Sequence, residues 1–278
     1  MDEWIRRNHD HYEERYGALD AEHLIARGGD LANLDRLIAS HTSWFGLYRD
    51  DLKDRLRGKA VIEIGFGDGL NALFMARLGA DVHAIEVSET AASHLSHCGR
   101  RLGLRIKALS GDFRDLSLPR ADFIVGKALL HHLTHDVEDQ FLRRCAELLH
   151  PGGEARFFEP AVNLTWLDRL RWCVPVPGRP SSLQRSAFAQ WKAADPHPER
   201  DNSMAHYDAA GRKHFSDVQI LPLGGLERFR RFIRDPRRNQ AFGRRALRWE
   251  NHMPMSLQTA IARSQTIILR EPRCASNR

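Results

Sequence analysis

Three carboxylates, three alternating glycines and a pair of histidines are the groups in this chain best placed to do chemistry. Gly65, Gly67 and Gly69 follow the apolar run Val61-Ile62-Glu63-Ile64, so backbone N–H groups there can approach a ligand with no Cβ in the way. Glu86 closes a second apolar stretch roughly 20 residues beyond the glycines, where a carboxylate accepts from ribose hydroxyls. Asp112 sits in Gly111-Asp112-Phe113 after a third such stretch, a place that also suits a simple turn. His131 and His132 lie in Lys127-Ala128-Leu129-Leu130-His131-His132-Leu133. An imidazole accepts a proton near neutrality, so one of them can act as base toward an ionisable acceptor. Neighbours in sequence do not point the same way; His131 is the favoured catalytic residue of the pair, and purely local hydrogen bonding of both is the competing reading.

The elements that must position these groups alternate. Short strand-like runs at 61–64, 80–86, 105–109, 121–126 and 154–160 are separated by helical stretches, which argues for a parallel sheet covered on both faces, with ligands at the carboxyl ends of its strands. The turn Pro151-Gly152-Gly153 precedes the fifth run. Runs at 217–221 and 264–270 are read as a sixth and a seventh strand. Residues 1–57 read as aromatic-rich helices. The stretch 161–214 opens with a helix and then breaks at Val174-Pro175-Val176-Pro177-Gly178, too long for a plain connector.

The glycine spacing discriminates among cofactors. A dinucleotide loop needs G-x-G-x-x-G, but the position completing it from Gly65 is Leu70, which speaks against a nicotinamide dehydrogenase. Glu63-x-Gly65-x-Gly67-x-Gly69, with Glu86, Gly111-Asp112-Phe113 and the Pro-Gly-Gly turn, resembles the class I S-adenosylmethionine-dependent methyltransferases over residues 60–160, and their small-molecule type in particular. The resemblance implies an α/β fold with a seven-stranded Rossmann-like sheet, mostly parallel with an antiparallel last strand and helices on both faces. It divides the chain into an N-terminal helical lid (1–57), a cofactor-binding core (58–160), an acceptor-cap insertion after strand five (161–214) and a C-terminal part of the sheet with basic helices (215–278).

It also implies S-adenosylmethionine as cofactor and S-adenosylhomocysteine as product, held by Glu63, Gly65, Phe66, Gly67, Gly69, Glu86, Val87, Gly111, Asp112, Phe113, Lys127 and Ala128. In that scheme Glu86 takes the ribose, Asp112 the adenine amino group with Phe113 against the ring, and 127–131 lies behind the methyl. His131 and His132 are the catalytic candidates. Tyr12, Tyr16, Trp44, Phe45, His131, Trp166 and Tyr207 are placed at the acceptor, since an aromatic face attracts a sulfonium as it does other cations, although aromatics at helical spacing also serve as core.

With 278 residues, 42% of them hydrophobic, the chain can bury one substantial core with appendages. Cys98, Cys145, Cys173 and Cys274 lack metal or disulfide spacing, and no metal is expected at His131, His132 and His135. No apolar run is long enough to span a bilayer and the first residues do not follow the plan of a secretion signal, so a cytoplasmic protein is expected. The +6 net charge concentrates in an arginine run from Arg228 to Arg248, compatible with nucleic acid, an anionic membrane or a solvated helix face. Nucleic acid is the less expected partner, because Gly126-Lys127-Ala128-Leu129 replaces the N/D-P-P-Y/F clamp of amino-methylating nucleic-acid enzymes and no Pro-Cys offers a nucleophile. The function expected is methyl transfer to a small molecule, at oxygen, in specialised metabolism or a quinone-like or lipid pathway. The alternatives are a nucleic-acid or protein methyltransferase using the basic helices and a non-catalytic cofactor-binding scaffold. Oligomeric state is left open.

Overall fold

The structure, a computed structural model, describes Glu13 and residues 20–176, 178–193 and 198–273. Its helices begin where side chains take the first free amides. Asp20 accepts from Glu22 N at 3.0 Å ahead of α1 (Ala21–Gly28), and Asp30 from Ala32 N at 2.9 Å ahead of α2 (Leu31–Ser40). α3 (Thr42–Tyr48) and a single turn, α4 (Leu52–Arg55), lead into β1 (Ala60–Ile64) and then α5 (Leu70–Arg77). Leu24, Leu34, Leu47, Tyr48 and Leu52 from this region are buried in one cluster with Leu73 and Phe74 of α5. The segment expected as a lid therefore also builds one face of the core, and position 57 is not a core boundary.

β2 (Asp81–Glu86), α6 (Glu89–Arg101), β3 (Ile106–Ser110), β4 (Ala121–Lys127), α7 (His135–Leu148) and β5 (Leu149–Pro160) continue the alternation. The insertion contributes α8 (Thr165–Trp172), α9 (Arg185–Ala193) and α10 (Met204–His214) before β6 (Phe215–Leu223). α11 (Pro236–Glu250), α12 (Met255–Ile261) and β7 (Ser264–Pro272) complete the described chain. The strands form one seven-stranded sheet in the order β3-β2-β1-β4-β5-β7-β6. β1 to β5 run parallel, and β7 is antiparallel to both neighbours, as the sequence pattern implied. Strand order reverses between β1 and β4, so the crevice beyond their carboxyl ends lies between the glycine turn and the segment holding the histidines.

Two strands are longer than the sequence suggests. Pro151-Gly152-Gly153, read as a turn, lies inside β5, opposite a register shift of β4 between Ala121 and Phe123. Gly152 has φ +77°, and a Cβ on Gly153 would stand 2.9 Å from His150 O and 3.0 Å from Asp122 O. The glycines absorb a bulge there and do not end the strand. β6 extends through Pro222, which an edge strand tolerates because one side of its ladder is unpaired.

One buried charge cluster ties β5 to the amino-terminal helices. Arg156 has no side-chain exposure; its Nε donates to Glu154 Oε1 at 2.7 Å and its Nη1 to the carbonyls of Leu47, at 3.1 Å, and Arg49. Arg270 Nε, at 2.8 Å, and Arg55 Nη1, at 3.2 Å, donate to the other oxygen of Glu154. The three guanidiniums hold the Glu154 carboxyl below the usual range against the opposing effect of burial.

Candidate active site

Gly65, Gly67 and Gly69 adopt φ +66°, +61° and +79°, the left-handed region that side chains disfavour. At Gly69 a Cβ would also meet Leu95 Cδ1 at 2.9 Å. The turn delivers the Gly67 amide to Glu86, whose Oε2 accepts it at 3.0 Å while Oε1 accepts from Val87 N at 2.9 Å. Burial pushes the Glu86 carboxyl above its usual range, and these two amides oppose the rise. Ile64, Gly65, Glu86, Val87, Asp112 and Phe113 share a cleft of about 80 Å³ that Leu129, Leu133 and Phe141 also line. Phe113 packs on Phe141 with ring centroids 4.7 Å apart. Gly111 belongs to the same wall, with φ +137°.

Asp112 already has a partner. Arg114 donates to it from its backbone N at 2.9 Å, from Nε at 3.1 and 3.0 Å, and from Nη2 at 2.6 Å. Those bonds hold its carboxyl below the usual range although burial acts in the opposite direction. An adenine amino group would share or displace the guanidinium, which itself lines the cleft.

Glu63 does not line the cleft. It is 2% exposed beneath the glycine turn, where Asn71 Nδ2 donates to its Oε1 at 2.7 Å and Tyr48 OH donates to Asn71 Oδ1 at 2.7 Å. Its Oε2 has no hydrogen-bond partner among the described residues. Burial raises its pKa to about 8, with Asn71 and then Lys127 acting against the rise. Because the folded value lies above the 4.5 of the free side chain, the native state holds this proton through the window from 4.5 to about 8. The stability it gives is complete at the acid end and declines as pH rises through that window. Urea midpoints at pH 6 and pH 8 should therefore differ less in Glu63→Gln than in the unaltered protein; an unchanged difference would assign the decline to another group.

The second half of the site is built where β4 and β5 end. Ala128, at φ +57°, turns the chain out of β4, and its N–H donates to Phe158 O at 2.7 Å. A 3₁₀ turn follows at Leu130–His132. Its amides converge on the fully buried Glu159: Leu129 N and Leu130 N each donate to Oε1 at 2.8 Å, and His131 N to Oε2 at 3.3 Å. His131 Nδ1 lies 2.7 Å from the same Oε2. An ionised carboxylate only accepts, so Nδ1 carries the hydrogen and Nε2 is the basic nitrogen of the neutral ring. The His132 ring lies 4.3 Å from that of His131, tilted by 44°. Lys127 Nζ lies 4.2 Å from the centroid of the Trp44 ring, and burial lowers its pKa while Glu63 and Asp68 support its charge.

Beyond this turn opens a cleft of about 1,050 Å³ walled by the insertion, with Asn163, Trp172, Trp191, Arg200 and Asn202 among its residues. Arg200 joins it to the histidine turn. Its Nη1 donates to Leu130 O at 2.8 Å and Leu133 O at 2.6 Å, and its Nη2 to Glu138.

The acceptor residues expected from sequence are scattered. Tyr12 and Tyr16 lie outside the described residues. Trp44 is 6% exposed, packed on Tyr48 and Phe74, and Phe45 is partly buried without lining either cleft. Trp166 is 59% exposed on α8; the same helix turns Trp172, six residues on, toward the large cleft. Tyr207 is 1% exposed in the core, its hydroxyl on Asn202 Oδ1 at 3.1 Å, which removes it from the acceptor surface. Phe66, at 4%, is core as well. Glu159, Arg114, Arg200 and Trp172 were not singled out. Glu159 had a signal, an acid within the apolar run Phe157-Phe158-Glu159, where burial demands a partner.

The donors and acceptors present suit S-adenosylmethionine: a carboxylate on a glycine-turn amide for ribose hydroxyls and an apolar slot for adenine. Residues 61–153 match the methyltransferase domain family. These residues form a class I S-adenosylmethionine-dependent methyltransferase domain. Among curated relatives of this chain, the ubiquinone biosynthesis O-methyltransferase of Methylocella silvestris is 35% identical over 143 residues, covering 49% of this chain and 52% of that protein. An uncharacterized methyltransferase of Geobacillus thermodenitrificans is 32% identical over 108 residues, 38% of this chain and 49% of that protein. The chain thus spans about half the length of these two relatives, the part that carries the shared domain. In fold it is similar to magnesium protoporphyrin IX methyltransferase of Synechocystis, with a TM-score of 0.51, 13% identity, and 96% and 99% of the two chains covered. A putative O-methyltransferase of Nostoc punctiforme gives the same TM-score at 17% identity, covering 87% of this chain and 56% of the other. No helix among the described residues is long and apolar enough to cross a membrane.

Proposed function

We propose that this methyltransferase methylates a hydroxyl of a small-molecule acceptor, with His131 as general base and Glu159 as the carboxylate that orients it. The 2.7 Å contact of His131 Nδ1 with the buried Glu159, at the carboxyl ends of β4 and β5, carries the reading. When bound, S-adenosylmethionine supplies an electrophilic methyl on an already activated leaving group. The chain's own work is then positioning, exclusion of water and removal of one proton. Glu86 and the amides of the glycine turn fix the cofactor's ribose end, and Asp112 and Phe113 its base. Nε2 of His131 takes the acceptor proton, and Glu159 stabilises the imidazolium that results. The O-methyltransferases of ubiquinone biosynthesis among its relatives support oxygen as the acceptor atom. Residues of the insertion cleft and the amino-terminal helices would enclose the acceptor; Glu13 already reaches the first turn of α6, accepting from Glu89 N at 2.7 Å.

Calorimetric titration tests the first half of this reading. S-adenosylmethionine and S-adenosylhomocysteine should bind in the micromolar range and NAD should not, and Gly67→Val should weaken the sulfur cofactors at least about tenfold by placing a β-branched residue at positive φ. Methyl transfer from labelled cofactor to a panel of phenols and enols tests the second half. Binding without transfer to any acceptor would leave a cofactor-binding scaffold.

A further inference from the structure

The arginine run after β6 has no place in the methyl-transfer site, and its surroundings show what it faces. Between residues 228 and 249 the sequence holds nine arginines and one acid, Asp235. α11 turns Gly243, Ala246, Leu247 and Glu250 inward, and Glu250 is spent there on the amides of Gly224, Leu226 and Glu227. Asp235 is committed as the helix cap, accepting from Arg238 N at 2.8 Å. Arg237, Arg238, Arg245 and Arg248 point outward, and with the exposed Arg234 they form no ion pair among the described residues. Elsewhere many arginines are paired, Arg114, Arg156, Arg200 and Arg270 among them. Spacings of seven and eleven put Arg238, Arg245 and Trp249 on one line of the helix.

Apolar side chains stand at both ends of this cationic line. Trp249 and Phe232 are each 64% exposed, Phe229 42%, and Met255 and Leu257 of α12 are exposed beside them in sequence. Phe229 and Phe232 belong to a 3₁₀ turn, Glu227–Phe232, fastened to α11 by Asn239 Nδ2, which donates to Arg230 O at 2.7 Å and Ile233 O at 3.0 Å. We propose that this face of α11, with the turn before it, docks the protein on an anionic lipid surface. Arginines meet the phosphates, while Phe232 and Trp249 enter the boundary between headgroups and chains, the preferred place of aromatic rings with one wet side. Single-stranded nucleic acid also pairs with basic aromatic surfaces, but it needs open ring faces. Here Phe229 and Phe232 stack on each other at 6.5 Å and Arg228 lies over Phe229 at 4.9 Å, so Phe229 offers no open face for a base.

Co-sedimentation of the full chain with phosphatidylcholine vesicles containing about a third phosphatidylglycerol tests the proposal against vesicles of phosphatidylcholine alone. The chain should partition onto the anionic vesicles only, and less at high salt. Each arginine near such a surface contributes roughly fivefold in partitioning, so Arg238→Glu with Arg245→Glu should cost at least about twentyfold. Phe232→Ser with Trp249→Ser should also weaken partitioning while leaving melting temperature and cofactor affinity unchanged, which shows that the fold survives. Equal partitioning onto both vesicle types, no partitioning, or full partitioning of the arginine variant would overturn the proposal. So would tighter binding to a single-stranded RNA 20-mer that anionic vesicles fail to displace.

Discussion

His131→Ala should lower the methyl-transfer rate by about 10²–10⁴-fold while leaving the dissociation constant for S-adenosylhomocysteine within about threefold of the unaltered protein. The expectation follows from where the ring sits. His131 is held through Nδ1 by the buried Glu159, outside the cleft that Glu86, Asp112 and Phe113 line. Added imidazole should restore part of the lost rate, which a merely structural role would not allow. Glu159→Gln is the companion. It keeps one acceptor oxygen, enough for the Leu129 and Leu130 amides, but puts an NH2 donor where Oε2 faces His131 and removes the charge that stabilises an imidazolium, so it should slow transfer too and shift the pH profile. Loss of cofactor affinity in His131→Ala as large as in Gly67→Val would sink the assignment of His131 as base.

Arg156→Ala should destabilise the protein by about 3–5 kcal/mol, the range for removing one partner of a buried charge cluster. With a scale of roughly 2 °C per kcal/mol for a chain of this size, the melting temperature should fall by roughly 6–10 °C. Three acceptors lose their donor together: Glu154 Oε1 and the carbonyls of Leu47 and Arg49. Arg156→Met, which keeps most of the volume, should recover packing but not the stranded carbonyls, and so fall between the two. A shift of less than about 2 °C for Arg156→Ala would mean that Arg55 and Arg270 compensate fully at Glu154.

The parts of this fold that local chemistry dictates were legible in the sequence. Strand-like runs between helical stretches mark the seven strands of the sheet, and three glycines at positions 65, 67 and 69 announce a turn in the left-handed region that side chains disfavour. The parts that depend on distant chain were not. Nothing near His131 points to Glu159, 28 residues on, although a carboxylate inside an apolar strand signals that some partner exists. Pro-Gly-Gly is an equally good turn or bulge, and only the β4 register decides between them. Aromatic side chains carried the least information. Trp44, Tyr207 and Trp166 have similar composition-level credentials for a ligand site, yet two are core and one faces solvent, because helix phase alone does not say what lies opposite.

Arg200 gives the insertion a say in the chemistry. Its guanidinium is fixed to the carbonyls on both sides of the two histidines and to Glu138 with only 2% of the side chain exposed, and the residue belongs to the wall of the large cleft. A molecule entering that cleft and drawing on Arg200 would draw equally on the backbone that sets the His131 ring. By linkage the two events share one free energy: whatever the occupant contributes to aligning the imidazole, an aligned imidazole returns as affinity for the occupant. An acceptor that does not engage Arg200 would forgo that shared free energy, so that selectivity would show in the dissociation constant as well as in the rate.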